Sequence, residues 1–262
     1  MRVVTWNVLW RFAPDWRARE RALLTVLDRL QPDIVGLQEV WREPGGRSQA
    51  DMVAQRFGMH AAFAGPSLPP VPHAPEHPEQ AGVTLGVGLV SRWPLTLTAE
   101  HVLPATHRQI APVALEARVK HPDAPFDVIV AATEWEPTFA DDHLTQTTRL
   151  AELLRADTGV PRILLGDLNC DVTQAEYAPL QVGVDNAWDL GSGDPATVTL
   201  SSAVPFAPVE AGKEIDRRID HILLAQGHDV RVDAAFAVPD AVDGIYPSDH
   251  FPVVADVTFA DE

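Results

Sequence analysis

Several segments, far apart in the chain, end in residues that suit a metal ion or a phosphate group. Each is an apolar run followed by a carboxylate, an amide or an imidazole. The residues concerned are Asn7, Glu39, Asp167 with Asn169, Asp220, and Asp249 with His250. A buried strand that ends on such a residue delivers the group to a sheet edge, where layered α/β proteins bind their ligands. These endings therefore predict one site built from both ends of the chain.

Glu39 and Asn7 are candidate ligands of a metal ion. Each alone has an ordinary explanation, since a single Glu is more often a solvated strand end and a single Asn a turn residue. At the ends of neighbouring strands, however, the two together suit a hard cation. Mg²⁺ is usually held by a few protein oxygens together with water and substrate phosphate. The pair therefore favours a magnesium site.

Asp167 and Asn169 lie two residues apart, directly after a buried strand. If the chain stays extended there, both side chains point to the same side. One of them could then hold a water molecule or a metal ion, while the amide donates to a phosphoryl oxygen. The structural alternative is an Asx turn, which is common for an isolated Asp-x-Asn.

Ser248-Asp249-His250, together with Asp220, is the strongest of these motifs. A phosphoester hydrolase needs a general acid or base that works near neutral pH, and His is the usual residue. A carboxylate such as Asp220 would fix the tautomer of the ring. For any one of the ten histidines a structural or surface role is the default. For His250, between an acidic neighbour and the start of a Phe-Pro strand, a functional role is favoured.

The composition is that of a globular protein, with 46% hydrophobic and 22% charged residues over 262 positions. Because the motifs run from Asn7 to His250, we expect one domain over residues 1–262. No apolar run is long enough for a membrane span, and the chain opens in a strand pattern instead of a signal peptide. The single cysteine, Cys170, fits a reducing compartment. We therefore expect a cytoplasmic protein, and a monomer.

The formal net charge of −17 at pH 7 bears on the partner. An acidic surface repels polyanions, and non-specific DNA binding relies on many Lys and Arg contacts to phosphates. The charge therefore disfavours nucleic acid without excluding it, because local basic spots can persist. A bound divalent cation would offset part of the acidity.

The pattern of apolar residues predicts two halves of similar plan, each with strands and one amphipathic helix. Asp15 is expected to cap a helix over 16–30, which Pro32 ends. A second helix is expected over 142–155. The predicted strands cover 2–8, 34–38, 83–90, 95–103, 112–119, 126–132, 162–166, 219–224, 229–236 and 252–258. The proline-rich stretch 64–80 is expected to be a loop, because prolines at that density block both helix and sheet.

The chain resembles the endonuclease/exonuclease/phosphatase family, a group of Mg²⁺-dependent phosphoesterases related to deoxyribonuclease I. The matching segments occur in family order: Thr5-Trp6-Asn7-Val8, Leu37-Gln38-Glu39, Gly82 to Pro94, Gly166-Asp167-Leu168-Asn169, Arg218-Ile219-Asp220-His221-Ile222 and Ser248-Asp249-His250. The resemblance implies a four-layer α/β sandwich, in which two mixed β-sheets pack face to face with helices outside.

The resemblance also implies a metal site. Glu39 would be the principal ligand, with Asn7 beside it. Asp249 would contribute directly or through water. The ion would be Mg²⁺ or Mn²⁺.

The remaining residues would act on water and phosphate. Asp167 would orient or activate the attacking water, and Asn169 would bind a phosphoryl oxygen. His250, oriented by Asp220, would stabilise or protonate the phosphate in the transition state. The implied reaction is in-line attack of water on phosphorus, with the metal and the donors neutralising the developing charge.

One position departs from the family pattern. Many members carry a His in a Thr-His-Leu segment after the strand that here is 126–132, whereas this chain reads Thr133-Glu134-Trp135. A carboxylate is an unusual neighbour for a phosphate dianion. Glu134 could bind a second cation, act as a protonated donor, recognise a cationic substrate group, or be a substitution that disables the enzyme. Our hypothesis is that Glu134 faces the site.

The expected activity is metal-dependent hydrolysis of a phosphomonoester or phosphodiester. Acidity and the absence of a basic stripe modestly favour a phosphorylated small molecule or lipid headgroup. An endonuclease or exonuclease acting on DNA or RNA is the first alternative. A catalytically impaired scaffold that binds a phosphorylated ligand is the second, and Glu134 is its only motivation. Specificity is expected to reside in the loops at 42–52, 65–80, 136–142 and 190–213.

Overall fold

The computed structural model of the chain describes residues 1–13, 15–67, 78–209 and 215–259. Its strands are β1 (Arg2–Asn7), β2 (Ile34–Arg42), β3 (His60–Ala64), β4 (Thr84–Ser91), β5 (Leu95–Val102), β6 (Val113–Val119), β7 (Phe126–Ala132), β8 (Arg162–Asp167), β9 (Val184–Asn186), β10 (Asp220–Ala225), β11 (Val230–Ala237) and β12 (Val253–Phe259). Its helices are α1 (Trp16–Leu30), α2 (Gln49–Phe57), α3 (Ala140–Arg155) and α4 (Ala187–Leu190). Residues 68–77 of the predicted proline-rich loop and residues 210–213 of the last specificity loop lie outside the described ranges.

The strands form two six-stranded sheets. The first has the order β11-β12-β1-β2-β4-β3 and the second β5-β6-β7-β8-β10-β9. Within each sheet two central neighbours run parallel, β1 with β2 and β7 with β8, while the other pairs are antiparallel. Helices α1 and α2 pack on the outer face of the first sheet and α3 on that of the second. The predicted four-layer sandwich is therefore confirmed.

The space between the sheets is filled by apolar strand residues, because alternate side chains of a strand point to opposite faces. Val3, Leu115 and Leu165 are completely buried there. Burying such a side chain stabilises the fold by about 1.5–3 kcal/mol. Gly36 of β2 marks a close approach of the sheets, since a Cβ there would lie 2.7 Å from the Leu165 Cβ. This packing fixes the strand ends that carry the polar groups.

Helix α1 occupies its predicted range, and its buried face includes Leu23 and Leu27. The predicted cap is wrong in its mechanism. Asp15 stands at the N-cap position, but its side chain makes no cap hydrogen bond. Its backbone is left-handed, with φ 55°, and its carbonyl accepts the Arg19 N–H at 3.1 Å. No helix in the described ranges is long and apolar enough to cross a membrane.

The prediction was also wrong around residues 38–64. Strand β2 does not end at residue 38 but continues to Arg42 across a β-bulge. Helix α2 begins within the predicted loop 42–52, and β3 follows it. Ser48 and Asp51 exchange hydrogen bonds as a capping box at the start of α2. With nine residues, α2 is too short for its apolar spacing to stand out.

Candidate active site

Asn7, at the end of β1, joins carboxylates from both sheets. Its amide nitrogen Nδ2 donates to Glu39 Oε1 at 3.0 Å and to Asp167 Oδ2 at 2.9 Å. Its amide oxygen accepts the backbone N–H of Leu9 at 3.0 Å, which fixes the orientation of the amide. All three side chains are buried. One amide group therefore bridges the acids contributed by β2 and β8.

Glu39 lies in the bulge of β2 and not at a strand end. The register with β4 shifts between Leu37 and Val40, and Glu39 has a left-handed backbone with φ 55°. A bulge re-aims a side chain while the strand continues beyond it. The Glu39 carbonyl accepts the Trp10 N–H at 2.9 Å, which ties the bulge to the turn after β1. The bulge thus presents the carboxylate to Asn7.

His250 is buried between two carboxylates. Its Nδ1 lies 2.9 Å from Asp220 Oδ2, and its Nε2 lies 3.9 Å from Asp167 Oδ2. Asp220 begins β10 directly opposite Asp167, because β10 pairs antiparallel with β8. His250 Nε2 and Asp220 Oδ1 are buried without a hydrogen-bond partner among the described residues. Buried polar atoms normally have partners, so orphaned atoms at one place point to a site completed by a ligand or water.

The surrounding charges decide the protonation state of His250. Burial is the largest single influence and by itself lowers the pKa of the ring. The carboxylates of Asp220, Asp167 and Asp249 together outweigh it and raise the pKa of His250 to about 10. His250 is therefore an imidazolium at neutral pH. In that state Nε2 can donate a proton to a phosphoryl or leaving-group oxygen.

Asn169 does not continue the extended strand from Asp167, so the condition for the two side chains to point to the same side is not met. Its backbone is left-handed, with φ 48°, and its N–H donates to Asp167 Oδ1 at 3.1 Å. This is the Asx turn of the structural alternative. The Asn169 amide donates to the Thr133 carbonyl at 3.0 Å. The turn nevertheless keeps Asn169 next to Asp167, with a second amide hydrogen beyond the one that Thr133 accepts.

Asp249 is held near Asn7 by the neighbouring Ser248. The Ser248 hydroxyl donates to the Asn7 carbonyl at 2.7 Å, and its oxygen lies 3.2 Å from Asp249 Oδ1. On the other side, Trp6 Nε1 donates to the His250 carbonyl at 2.9 Å. The last motif is therefore fastened to β1 at two points, and Asp249 is buried there.

A buried arginine that the sequence reading missed also reaches this region. Arg19 of α1 donates to the carbonyls of Leu9, Trp10 and Pro247, each at 3.0 Å. The sequence did carry a signal, because Arg19 precedes Leu23 by four residues and so shares its helix face. A charged residue on an apolar face needs a polar partner inside the protein.

Glu134 is buried and paired with Arg108. The Arg108 Nε donates to Oε2 at 2.9 Å and its Nη2 to Oε1 at 2.6 Å. Oε1 also accepts the backbone N–H groups of the next two residues. The pair adjoins the Asp167 turn, because Thr133 accepts the Asn169 amide. That Glu134 takes part in the site stays a prediction. If it does, it would act on the substrate through Arg108, which it holds in place.

The oxygen donors of this region fit a hard divalent cation. Single ligand atoms of Asp167, Asp220 and His250 lie within 4.8 Å of one another, and because a protonated His250 offers no lone pair, the carboxylate oxygens are the available ligands. Glu39 is separated from Asp167 by one amide nitrogen. Carboxylate oxygens in this number suit Mg²⁺ or Mn²⁺ rather than softer metals.

Comparison with known proteins agrees with the fold. A model of the endonuclease/exonuclease/phosphatase family matches residues 4–250. No curated protein shows significant sequence similarity to the chain. Among solved structures, the human Nocturnin catalytic domain with bound sulfate is 21% identical, with a TM-score of 0.72 over 99% of this chain and 93% of that one.

Two further structures have the same fold. TDP2 from D. rerio, complexed with a single-strand DNA product, is 18% identical with a TM-score of 0.72 and 98% coverage of both chains. An endonuclease/exonuclease/phosphatase from Beutenbergia cavernae is 23% identical with a TM-score of 0.72, over 99% of this chain and 71% of that one. At these identities the likeness establishes a shared fold.

Proposed function

Because the chain belongs to the endonuclease/exonuclease/phosphatase family, whose members are metal-dependent hydrolases of phosphoester bonds, we propose that it hydrolyses a phosphorylated small molecule or lipid headgroup. One observation carries the proposal. Contacts run without a break from Glu39 through Asn7 and Asp167 to His250 and Asp220. Burying several carboxylates together is costly unless cations or donors compensate them, so the arrangement favours a binding site over core packing.

Glu39 would hold Mg²⁺ or Mn²⁺, with Asp249 and Asn7 beside it. When bound, the ion lowers the pKa of a coordinated water and neutralises charge on the phosphate. The Asn7 amide nitrogen faces the acids, and its Oδ1 accepts the Leu9 N–H with one of its two lone pairs.

Asp167 and His250 would act on the reacting groups. Asp167, held by the Asn7 amide, would accept a proton from the water that attacks phosphorus. His250 would donate from Nε2 to a phosphoryl or leaving-group oxygen, while Asp220 at Nδ1 keeps the ring in place. The second amide hydrogen of Asn169 would bind a phosphoryl oxygen. Donors aimed at developing charge in this way supply much of an enzyme's rate enhancement.

Two features support a small substrate over a polynucleotide. The net charge of −17 repels polyanions. Beside the Asp167 turn, Glu134 neutralises the charge of Arg108, so this rim attracts a nucleic-acid backbone less than an unpaired arginine would. The pairing also accounts for Glu134 without a loss of function, which weakens the scaffold alternative.

The test is a panel of p-nitrophenyl phosphate, bis(p-nitrophenyl) phosphate, inositol phosphates, and single- and double-stranded DNA. Each is assayed with Mg²⁺, with Mn²⁺ and with a chelator, for the wild type, His250→Asn and the exposed control His60→Asn. We expect chelator-sensitive turnover of a small ester that only His250→Asn abolishes. Preferential cleavage of DNA would establish the nuclease alternative instead. Binding of inorganic phosphate with no turnover of any substrate would establish the scaffold.

A further inference from the structure

Arg19 connects two parts of the chain that carry site residues. Its Nη2 donates to the carbonyls of Leu9 and Trp10, in the turn that follows Asn7. Its Nη1 donates to the carbonyl of Pro247, directly before the Ser248-Asp249-His250 segment. The two turns are far apart in the chain, and Arg19 itself is 228 residues from Pro247. One guanidinium group therefore links the two turns, in addition to the Ser248–Asn7 and Trp6–His250 hydrogen bonds.

The position is an expensive one for a charge. Arg19 is only 3% exposed, and its Nε is buried without a partner among the described residues. Burial is the largest influence and lowers the pKa of Arg19 to about 10, while Asp249, Glu39 and Glu20 act in the opposite direction. An apolar side chain of similar size is often as stable at a buried ionic position, or more so. Fold stability alone is therefore a weak reason for an arginine here.

The direction of its contacts indicates what the charge does. Arg19 bonds only to main-chain carbonyls in the described residues, so no carboxylate neutralises it by a direct hydrogen bond. Its field instead acts on Glu39 and Asp249, the acids assigned above to the metal. A fixed cation near two carboxylates offsets part of their mutual repulsion.

We propose that Arg19 is a positioning residue of the metal site. It holds the turn after Asn7 and the turn before Asp249 in fixed positions relative to each other. The carboxylates of Glu39 and Asp249 are thereby placed to share one cation. This inference rests on the proposed metal-dependent function. Arg19 does not contact the metal or the substrate. Residues that orient metal ligands in this way typically change metal affinity or activity by about 10-fold to 100-fold.

The experiment measures Mn²⁺ binding by calorimetry in the absence of substrate, together with kcat and KM on the best ester from the panel. The variants are Arg19→Gln, Arg19→Lys and Arg21→Gln, an exposed arginine on the same helix. We expect Arg19→Gln to weaken Mn²⁺ binding by about 10-fold or more and to lower kcat at unchanged KM. Arg19→Lys keeps the charge but has a single nitrogen for the carbonyls, so we expect an intermediate affinity. Arg21→Gln should match the wild type.

Unfolding midpoints in chelator separate a positioning role from a purely structural one. If Arg19→Gln unfolds at a lower midpoint than the wild type but binds Mn²⁺ with an affinity within about twofold of it, Arg19 only stabilises the two turns and the proposal is overturned. If Arg19→Gln does not fold, Arg19→Lys decides by the same Mn²⁺ criterion. A wild type that binds no Mn²⁺ would overturn the proposed function as well, whereas equal binding by wild type and variants overturns this inference alone.

Discussion

Two clusters of charged residues, one buried and one partly buried, differ in how their charges are compensated. The site cluster consists of Asn7, Glu39, Asp167, Asp220 and His250. The outer-face cluster consists of Glu116, Arg118, Asp127 and Arg162, on the face of the second sheet that points away from the first. Both combine carboxylates with nitrogen donors at neighbouring strand positions. Their difference separates residues that hold the fold together from residues that await a ligand.

In the outer-face cluster the chain supplies its own cations. Arg162 Nη2 lies 2.8 Å from Glu116 Oε1, and Arg118 Nη2 donates to Asp127 Oδ2 at 3.1 Å. Arg162 also approaches Asp127 at 3.8 Å. Each carboxylate therefore has an arginine partner. The carboxylates of this cluster are thus compensated by cations of the protein, with His101 as a further partner of Glu116 at 2.6 Å, although Arg162 Nε is buried without a hydrogen-bond partner among the described residues. Removing one arginine leaves its carboxylates less well compensated.

In the site cluster the acids share an amide and an imidazole. Asn7 bridges Glu39 and Asp167, and His250 stands between Asp167 and Asp220. Asp220 Oδ1 and His250 Nε2 have no hydrogen-bond partner among the described residues. Gathering like charges in this way destabilises the metal-free protein, and a divalent cation would relieve the repulsion. Neutralising an acid should therefore have opposite effects in the two clusters.

The largest expected effect comes from Glu39→Gln. Losing the principal metal ligand should lower kcat/KM by about three orders of magnitude or more, because metal stabilisation of the transition state is worth several kcal/mol. The free energy of unfolding in chelator should stay equal or rise, since one buried negative charge is removed. Kinetics with Mn²⁺ and urea unfolding with chelator measure the two quantities.

Glu116→Gln is the matched control, because it removes one carboxylate from the outer-face cluster. We expect it to lower the free energy of unfolding and to leave kcat/KM unchanged. If both variants lose stability equally and neither loses activity, the distinction between the clusters is wrong.

Asp220→Asn should have the next largest effect. The variant keeps the shape of the side chain but removes the negative charge that holds His250 by its Nδ1. We expect kcat to fall by about 10²-fold to 10⁴-fold, the usual contribution of a general acid or base. The limb of the pH–rate profile that reports the imidazolium should move to lower pH. Asp229→Asn, at an exposed position, is the control and should leave both the rate and the profile unchanged.

Arg162→Met removes one of the two arginines of the outer-face cluster. Glu116 keeps His101 and Asp127 keeps Arg118, so the loss is that of hydrogen bonds between charged groups, and we expect the free energy of unfolding to fall by about 1.5–3 kcal/mol. Turnover per folded molecule should be unaffected. Arg149→Met removes an exposed arginine paired with Glu152 at 2.9 Å, and it should cost less than about 1 kcal/mol. Equal losses in the two variants would mean that burial does not distinguish the pairs.

Glu134→Gln tests whether a protein-supplied ion pair assists the site. Without the carboxylate, Arg108 loses its bidentate partner and its fixed position. The freed charge of Arg108 attracts phosphate, but its guanidinium is no longer held beside the Asp167 turn. We expect the loss of position to dominate and KM to rise by about tenfold, the value of one hydrogen bond to a charged group, while kcat changes less. Glu152→Gln, an exposed carboxylate on α3, serves as the control. An unchanged KM would show that the Arg108 pair is structural only.

Residues that end an uninterrupted strand could be placed from sequence. Asn7 and Asp167 stand at the last positions of β1 and β8, and Asp220 at the first position of β10, close to where the apolar runs placed them. Continuous apolar runs and their ends are local properties, so the sequence pattern carries them. Glu39 was assigned to a strand end because the polar pair Gln38-Glu39 interrupts the apolar run, and a strand end and a bulge both fit such an interruption.

Residues whose position depends on distant partners could not be placed in this way. The partners of Arg19 and Arg108 lie up to 228 and 26 residues away. The turn at Asn169 is a local choice between extension and an Asx hydrogen bond, and the spacing of Asp167 and Asn169 is compatible with both. The spacing of Arg19 and Leu23 places Arg19 on the buried face of α1, but the hydrogen-bond partners of the arginines follow from the assembled sandwich and leave no pattern in the chain.

A smaller effect distinguishes the site histidine from a buried histidine outside the cluster. His221 donates from Nε2 to the Cys170 carbonyl at 2.9 Å, and burial, assisted by the Arg218 charge, lowers the pKa of His221 to about 3. Below its ordinary pKa of about 6.5 the unfolded chain binds a proton that the folded chain refuses. His221 therefore favours folding above that pH, and the contribution is lost as the pH falls from about 6.5 toward 3, by up to about 1.4 kcal/mol per pH unit. His250 affects the pH dependence of stability in the opposite direction, because its raised pKa makes the folded protein hold its proton up to about pH 10.

Urea unfolding of wild type, His221→Gln and the exposed control His60→Gln between pH 7.5 and about 4.5 measures the contribution of His221. We expect His221→Gln to flatten the acid slope relative to both others, and parallel curves for all three would show that His221 is protonated in the folded protein.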